Sequence, residues 1–386
     1  MDRTDPPAAG FEHATPPTAG RVATLAGHRI AAVTTATTQS RYPRDIGRNA
    51  RLGRHGTGPA TTAVAVTTDV GAIGWALATG PLDGVDDLVG RDLTALFDPQ
   101  IGVIDDAAGS LDLALHDLAG VVLGRSVAGL LGARGTPSVP TYSGAIYFDD
   151  LDAPDGIDTV LAHCRDDYAA GYRALKLKVG RGHRWMTAGG LSRDIAVVHA
   201  VREAFPDIDI LTDANDGFTL QDARTFLDAT AECRLFWLEE PFEENRADLT
   251  ALYAHLTDTG IPTLLADGER DPDLEPLLAL GAAGVLDVLL MDIGSFGLTA
   301  WRAAMPRLIE VGVSASPHAW GEPLKSLYAA QVAAGLGNVL TVEGVPGTAW
   351  VDGQEVDRTA YRLAGGVLTV PTAPGFGIRV PPALRP

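Results

Sequence analysis

Seven stretches decide the fold: ALKLKVG (174–180), DIDILTDAN (207–215), LFWLEEP (235–241), IPTLLADGE (261–269), LDVLLMDIG (286–294), GVSASPH (312–318) and NVLTVEG (338–344). Each is a short apolar run that ends on Gly, Pro, Asn or an ionisable residue, the pattern of a buried strand. Segments of helical period follow several of them. Leu191, Ile195, Val198 and Val201 follow the first, Leu220, Ala223, Phe226 and Leu227 the second, and Leu249, Leu252, Tyr253 and Leu256 the third. With VPTYSGAIYF (139–148) ahead of them, the set makes eight strands, mostly separated by helices, within residues 136–345. That count and spacing predict an α/β fold with a (β/α)₈ TIM barrel. An open doubly wound sheet is the competitor, but no strand-to-helix turn carries a dinucleotide fingerprint.

The barrel reading divides the rest of the chain. Residues 1–20, with Pro6, Pro7, Pro16 and Pro17, read as a flexible tail. Residues 21–135 read as an α+β segment. Two β-branched runs lead into a helix with Leu111, Ala114, Leu115, Leu118 and Val122 on one side, ended by Gly124. Residues 346–386 return to a Pro- and Gly-rich strand pattern, expected to pack back on the N-terminal segment outside the barrel.

Composition narrows the function classes. Acidic residues outnumber basic ones 49 to 30, a net charge of −19. Nucleic-acid binding needs a basic footprint, and docking on anionic membrane needs the same sign. Both are excluded as expectations. No apolar run approaches the ~20 residues that span a bilayer, and the N-terminus lacks the apolar core of a secretion signal. Cys164 and Cys233 form no CxxC pair, which suits a reducing cytoplasm. Phosphate-cradling loops, HExxH and GxSxG are also missing.

The chemistry sits at the strand ends. Lys176 and Lys178, Asp213, Glu239, Glu269, Asp292, His318 and Glu343 close seven consecutive strands. From Asp213 on they are spaced 26, 30, 23, 26 and 25 residues apart, one βα unit each. In a barrel these ends converge on one face. Asp213, Glu239 and Glu269 then offer three oxygen ligands, a donor set for Mg²⁺ first and Mn²⁺ second. Asp267, two residues earlier, is the alternative to Glu269. Asn215 flanks Asp213 and is grouped with the substrate contacts, and Glu240 points away from Glu239 if the strand continues. Lys176 and Lys178 share one strand face. Leu175, Leu177 and Val179 claim the helix layer, so the lysines face the centre. Their mutual repulsion is expected to lower the pKa of one and prepare a general base. Asp292 behind His318 orients an imidazole, while the other eight histidines read as packed or surface residues. Glu343, beside a bound carboxylate, is expected to be protonated and to donate a hydrogen bond.

The loop QSRYPRDIGRNARLGRHGTGP (39–59) is rich in Arg and Gly. It reads either as solvated surface or as a lid whose Arg48, Arg51 and Arg54 reach an anionic ligand. Trp185 and Trp320 are expected to narrow the pocket.

These residues resemble the enolase superfamily in its mandelate racemase/muconate lactonizing enzyme branch. The resemblance rests on SLDLALHDLAGVVLGRSVAGLLG (110–132), KLK (176–178), TDAN (212–215), LEEP (238–241), ADGE (266–269) and SPH (316–318), and it covers about residues 21–380. It implies a capping α+β domain built from both chain ends over a Mg²⁺-holding barrel, in a homo-oligomer, a dimer or an octamer. It implies Asp213, Glu239 and Glu269 as metal ligands, and Lys178, with Lys176 beside it, as the base on one face of a small carboxylate substrate. His318 with Asp292 stands on the other face, and Glu343 is the electrophile. GERDPDL (268–274) has no lysine after the third ligand, which points to the mandelate racemase-like subgroup. The shared step is loss of the proton α to a carboxylate. Loss of a β-hydroxyl then gives a 2-keto-3-deoxy acid from an acid sugar, the expected dehydratase. Reprotonation gives an epimer, the alternative. A silent binding protein would not need the full set.

Overall fold

A computed structural model describes residues 24–151, 156–181, 189–270 and 273–386. The expected tail 1–20 and Trp185 lie outside the described residues. Three antiparallel strands open the fold: β1 (Ile30–Arg41), β2 (Ala60–Thr68) and β3 (Ile73–Leu77). A short hairpin follows, β4 (Phe97–Asp98) and β5 (Gly102–Val103), then helices α1 (Asp112–Leu123) and α2 (Val127–Leu131). Gly124 ends α1 with a left-handed φ of 64°, as its position in the sequence predicts.

Alternation begins at residue 138. The order is β6 (Ser138–Ile146), α3 (Ile157–Ala169), β7 (Ala174–Lys178), α4 (Gly190–Ala204), β8 (Asp209–Asp213) and α5 (Leu220–Thr230). It continues with β9 (Trp237–Glu239), α6 (Arg246–Thr259), β10 (Leu264–Asp267), α7 (Leu274–Ala282), β11 (Val288–Leu289) and α8 (Ile293–Glu310). β12 (Ser314–Ala315), α9 (Pro323–Leu336) and β13 (Val342–Gly344) complete it. Strands β6 to β12 pair in sequence order, each parallel to the next. β13 pairs parallel with β6, and the residues just before it bond to β12: Ala315 N donates to Asn338 O at 2.9 Å and Leu340 N to Ala315 O at 3.0 Å. The parallel pairing thus returns to the strand where it began. Leu175, Leu177 and Val179 join the main hydrophobic core with helix residues such as Val197 and Val201. Tyr142, Leu211, Trp237, Ala266, Val288 and Leu290 form a separate buried cluster enclosed by the strands.

The C-terminal residues divide between two sheets. β14 (Thr348–Val351) pairs antiparallel with β1, and β15 (Gln354–Glu355) with β14, giving the order β15-β14-β1-β2-β3. β16 (Arg362–Ala364) and β17 (Val367–Thr369) do not follow them. β17 pairs antiparallel with Ser138–Pro140 at the start of β6. That part of the tail was expected on the N-terminal segment. It goes to β6 because β13 begins pairing only at Thr141, which leaves the first residues of β6 with an open edge.

Buried carboxylates tie these parts together. Asp112 on α1 accepts from the amide of Leu298 and the hydroxyl of Thr299 at a kink in α8, where Gly297 has φ 73°. A Cβ there would lie 2.4 Å from Asp112 Oδ2, so the approach needs glycine. Asp117 accepts from Trp75 N at 2.9 Å and from Phe376 N at 2.6 Å, joining α1, β3 and the C-terminal segment. No helix among the described residues is long and apolar enough to cross a membrane.

Burial pushes the Asp117 carboxyl up to about 7, against the pull of its two amide donors. Its folded value therefore lies above the ~4 of an unfolded Asp, so folding takes up a proton between those values. The contribution of Asp117 to stability is expected to fall as pH rises from about 4 to 7, and Asp117→Asn to flatten that fall. Asp117→Ala strands two buried amides and is expected to cost about 2–4 kcal/mol. Urea unfolding of the three proteins across this pH range measures both.

Candidate active site

Parallel strands in a ring bring their C-terminal ends to one face. Asp213 and Glu239 are the last residues of β8 and β9, and Glu269 follows β10 by two residues. Gly268, with φ 96°, makes the turn that swings Glu269 back to the other two. All three are buried, and one carboxylate oxygen of each lies within 4.8 Å of the others. Among the described residues this is the one grouping that fits a metal ion. Asp267 is not part of it; its Oδ1 accepts from Gly268 N and its Oδ2 is buried without a partner. Between Asp267 and Glu269, the geometry selects Glu269. The donors are all hard oxygens, and Glu269 Oε2 is buried without a hydrogen bond, so the residues fit a divalent cation such as Mg²⁺.

Both lysines face this cluster, as the strand alternation predicts. Lys176 Nζ lies 2.8 Å from Glu239, 3.0 Å from Glu343 and 3.4 Å from Asp213. Lys178 bonds Asp213. The expected drop in the pKa of one lysine does not occur. Burial pulls both down, but Glu239 and Glu343 around Lys176, and Asp213 beside Lys178, outweigh it and hold both above the ordinary value. In Glu343 burial raises the carboxyl, but Lys176 and then His318 pull harder and hold it below the ordinary value before any carboxylate is bound beside it.

His318 enters from the far end of the cluster. Its Nδ1 lies 2.8 Å from Asp292 Oδ2, and its Nε2 lies 3.3 Å from Glu269 and 3.6 Å from Glu343. Asp292 is aimed by its role as N-cap of α8, where Oδ1 accepts from Gly294 N at 2.8 Å and Ser295 N at 2.9 Å. Lys325 Nζ, 2.9 Å from Asp292, extends the relay. Burial lowers His318, but Glu269, Glu343 and Asp292 together lift it to about 9.

The remaining expected residues are divided between the cluster's neighbours and the outside. Asn215 Nδ2 reaches Glu240 at 3.3 Å and Glu269 at 3.4 Å. Asn215, Asp216 and Glu240 all hold left-handed backbone, strain that collects where side chains must be aimed inward. Arg51 pairs with Asp216 at 2.6 Å, and Arg270 shares that carboxylate at 2.9 Å. Arg48 O accepts from Phe148 N at 2.9 Å, which pins the loop to the end of β6. Arg54 pairs with Asp45 on the outside, both half-exposed, so it is not brought to the cluster. Trp320 packs with Tyr42 at 5.5 Å and Tyr147 at 5.0 Å between ring centroids.

Three residues here escaped the sequence reading. Lys325 follows His318 by seven residues and carries no periodic signal. Tyr147 stands out in the sequence only as part of the strand run 139–148. His55, grouped with the packed or surface histidines, stands against Tyr147 at 4.7 Å, and Lys178 Nζ lies 5.1 Å from the centre of the Tyr147 ring.

Residues 159–384 match the family model described as enolase C-terminal domain-like. The chain is 31% identical over 295 residues to D-galactarolactone cycloisomerase of Agrobacterium fabrum, covering 73% of each. It is 26% identical to D-xylonate dehydratase of Haloferax volcanii, covering 72% of this chain and 68% of that one. Galacturonate dehydratase of a Geobacillus species, solved with D-galacturonate and 5-keto-4-deoxy-D-galacturonate, superposes with a TM-score of 0.85 at 30% identity, covering 93% of this chain and 96% of that one. The chain belongs to the enolase superfamily, in its mandelate racemase/muconate lactonizing enzyme family.

Proposed function

We propose that the protein is a Mg²⁺-dependent acid-sugar dehydratase, a (β/α)₈ barrel capped by residues 21–135 and 346–386. The observation that carries the reading is the pair of proton-transfer groups at opposite ends of the carboxylate cluster. Lys178 bonds Asp213 at one end, and His318, backed by Asp292 and Lys325, meets Glu269 at the other. Asp213, Glu239 and Glu269 would hold the cation. Bound there, Mg²⁺ supplies Lewis-acid stabilisation of the charge that develops on the substrate carboxylate.

The chain's own groups supply the proton traffic. Lys178 takes the α-proton once the charge of Asp213 is engaged elsewhere, because that charge is what keeps the ammonium protonated. His318, oriented by Asp292 with Lys325 behind it, delivers a proton to the departing β-hydroxyl. Lys176 adds a fixed positive charge beside Glu343. Cys164 and Cys233 are both free and buried, in keeping with a reducing cytoplasm.

An isomerase is the second reading, favoured by the likeness to D-galactarolactone cycloisomerase. It shares α-proton removal and differs in losing no water. D-Xylonate, D-galacturonate and D-galactarolactone, the relatives' compounds, form the first panel. Exchange of the α-proton in D₂O is expected with at least one, together with release of a 2-keto acid. Exchange with an isomeric product and no keto acid would assign the isomerase instead.

His318→Asn is expected to lower keto-acid formation by about 10²-fold or more while Lys178-driven exchange persists, and Lys178→Ala to abolish both. Rates of exchange and of keto-acid release in the two variants measure this. Chelation with EDTA is expected to stop turnover and added Mg²⁺ to restore it. Glu269→Gln is expected to weaken Mg²⁺ binding about 10-fold or more, with Asp267→Asn far less affected, by calorimetric titration.

A further inference from the structure

His55 stands at the tip of a tight backbone exchange. Ile46 N donates to Gly56 O at 2.8 Å, and the amides of His55 and Gly56 both donate to Ile46 O at 3.0 Å. This fixes the ring in an aromatic wall, 4.7 Å from Tyr147 and 5.9 Å from Trp320 between centroids. Trp320 Nε1 lies 3.3 Å from His55 Nδ1. An indole N–H only donates, so Nδ1 must be the acceptor. A neutral His55 then carries its proton on Nε2.

That Nε2 is buried and has no hydrogen-bond partner. The hydroxyl of Tyr147, the ring next to it, is also buried and without a partner. Burial, and then the charge of Lys178, hold His55 down to about 4, so the ring is neutral when the enzyme works. Two orphaned polar atoms on one apolar wall destabilise the empty site unless a ligand meets them. A neutral N–H and a phenol do not select for negative charge. They suit a hydroxyl, which accepts from Nε2–H and exchanges a second hydrogen bond with Tyr147.

We propose that His55 and Tyr147 are specificity residues that grip an uncharged hydroxyl of the substrate, with Trp320 as the positioning residue that sets the His55 tautomer. The inference rests on the acid-sugar reading and deepens it. The wall reads the sugar's hydroxyls, while the carboxylate end belongs to the charged cluster.

Nitrogen-15 NMR of histidine-labelled, full-length protein at pH 7 is expected to show His55 neutral with Nε2–H, and Trp320→Phe to weaken that preference. A charged ring or the Nδ1–H tautomer would overturn the proposal. With whichever of D-xylonate, D-galacturonate and D-galactarolactone exchanges fastest in Mg²⁺-loaded enzyme, His55→Phe is expected to lower kcat/KM about 10–30-fold, mostly through KM. His55→Gln, which keeps an N–H near the Nε2 position, is expected to recover most of that loss. Equal losses in the two variants, or no loss in His55→Phe, would overturn the proposal and leave the dehydratase reading standing. Failure of all three compounds to exchange in the wild-type enzyme would remove the acid-sugar reading and this inference with it.

Discussion

Three carboxylates crowded into a buried space repel one another, and the surrounding structure is organised to answer that charge. Asp213, Glu239 and Glu269 are buried, with one carboxylate oxygen of each within 4.8 Å of the others. Lys176 sits among Asp213, Glu239 and Glu343, Lys178 against Asp213, and His318 against Glu269. The same carboxylates that would hold a cation set the charge of the two lysines and the imidazole proposed to move protons. Burial alone would discharge both lysines and the imidazole, and it is the carboxylates that reverse its sign.

A second use of carboxylates holds the parts in place. Asp112, Asp117 and Glu322 are buried, and each accepts from groups far away in sequence. Glu322, the N-cap of α9, takes hydrogen bonds from Ser40 on β1 and Thr61 on β2, while Tyr42 OH donates to Gly321 O at 2.8 Å. The antiparallel sheet is thereby anchored to the loop that carries His318 and Trp320. The aromatic wall and the Asp292–His318 pair meet there, so a shift of the sheet would move the aromatic surface against the carboxylate cluster.

Much of this was legible in the sequence because period and spacing carry it. Strand alternation put Lys176 and Lys178 inward and Leu175 and Leu177 outward, and the 23- to 30-residue spacing of acidic ends foretold their convergence. What escaped belonged to no period. His55 sits in a polar loop, Lys325 on the first turn of α9, and Tyr147 just past a strand. Their placement comes from contacts distant in sequence, His55 with Tyr147 and Trp320 and Lys325 with Asp292, or from a turn after the strand. Signs of pKa shifts also escaped. Two lysines on one strand suggest repulsion, and only the three-dimensional site shows which carboxylates face each. The path of β17 was hidden for a related reason, since an open edge at the start of β6 is a property of register rather than of composition.

The sheet order β15-β14-β1-β2-β3 has a consequence for synthesis. A nascent chain emerges N-terminus first, at roughly 5–20 residues per second. β1 and β2 can pair early, but the outer edge of β1 waits for Thr348–Val351. Until then a long edge strand stands uncovered while the whole parallel sheet is being made, and uncovered edges invite pairing with other chains. Thr348–Val351 therefore act as a seal on β1. A chain that stops before residue 348 would carry the charged cluster beside a sheet whose β1 edge is still adhesive.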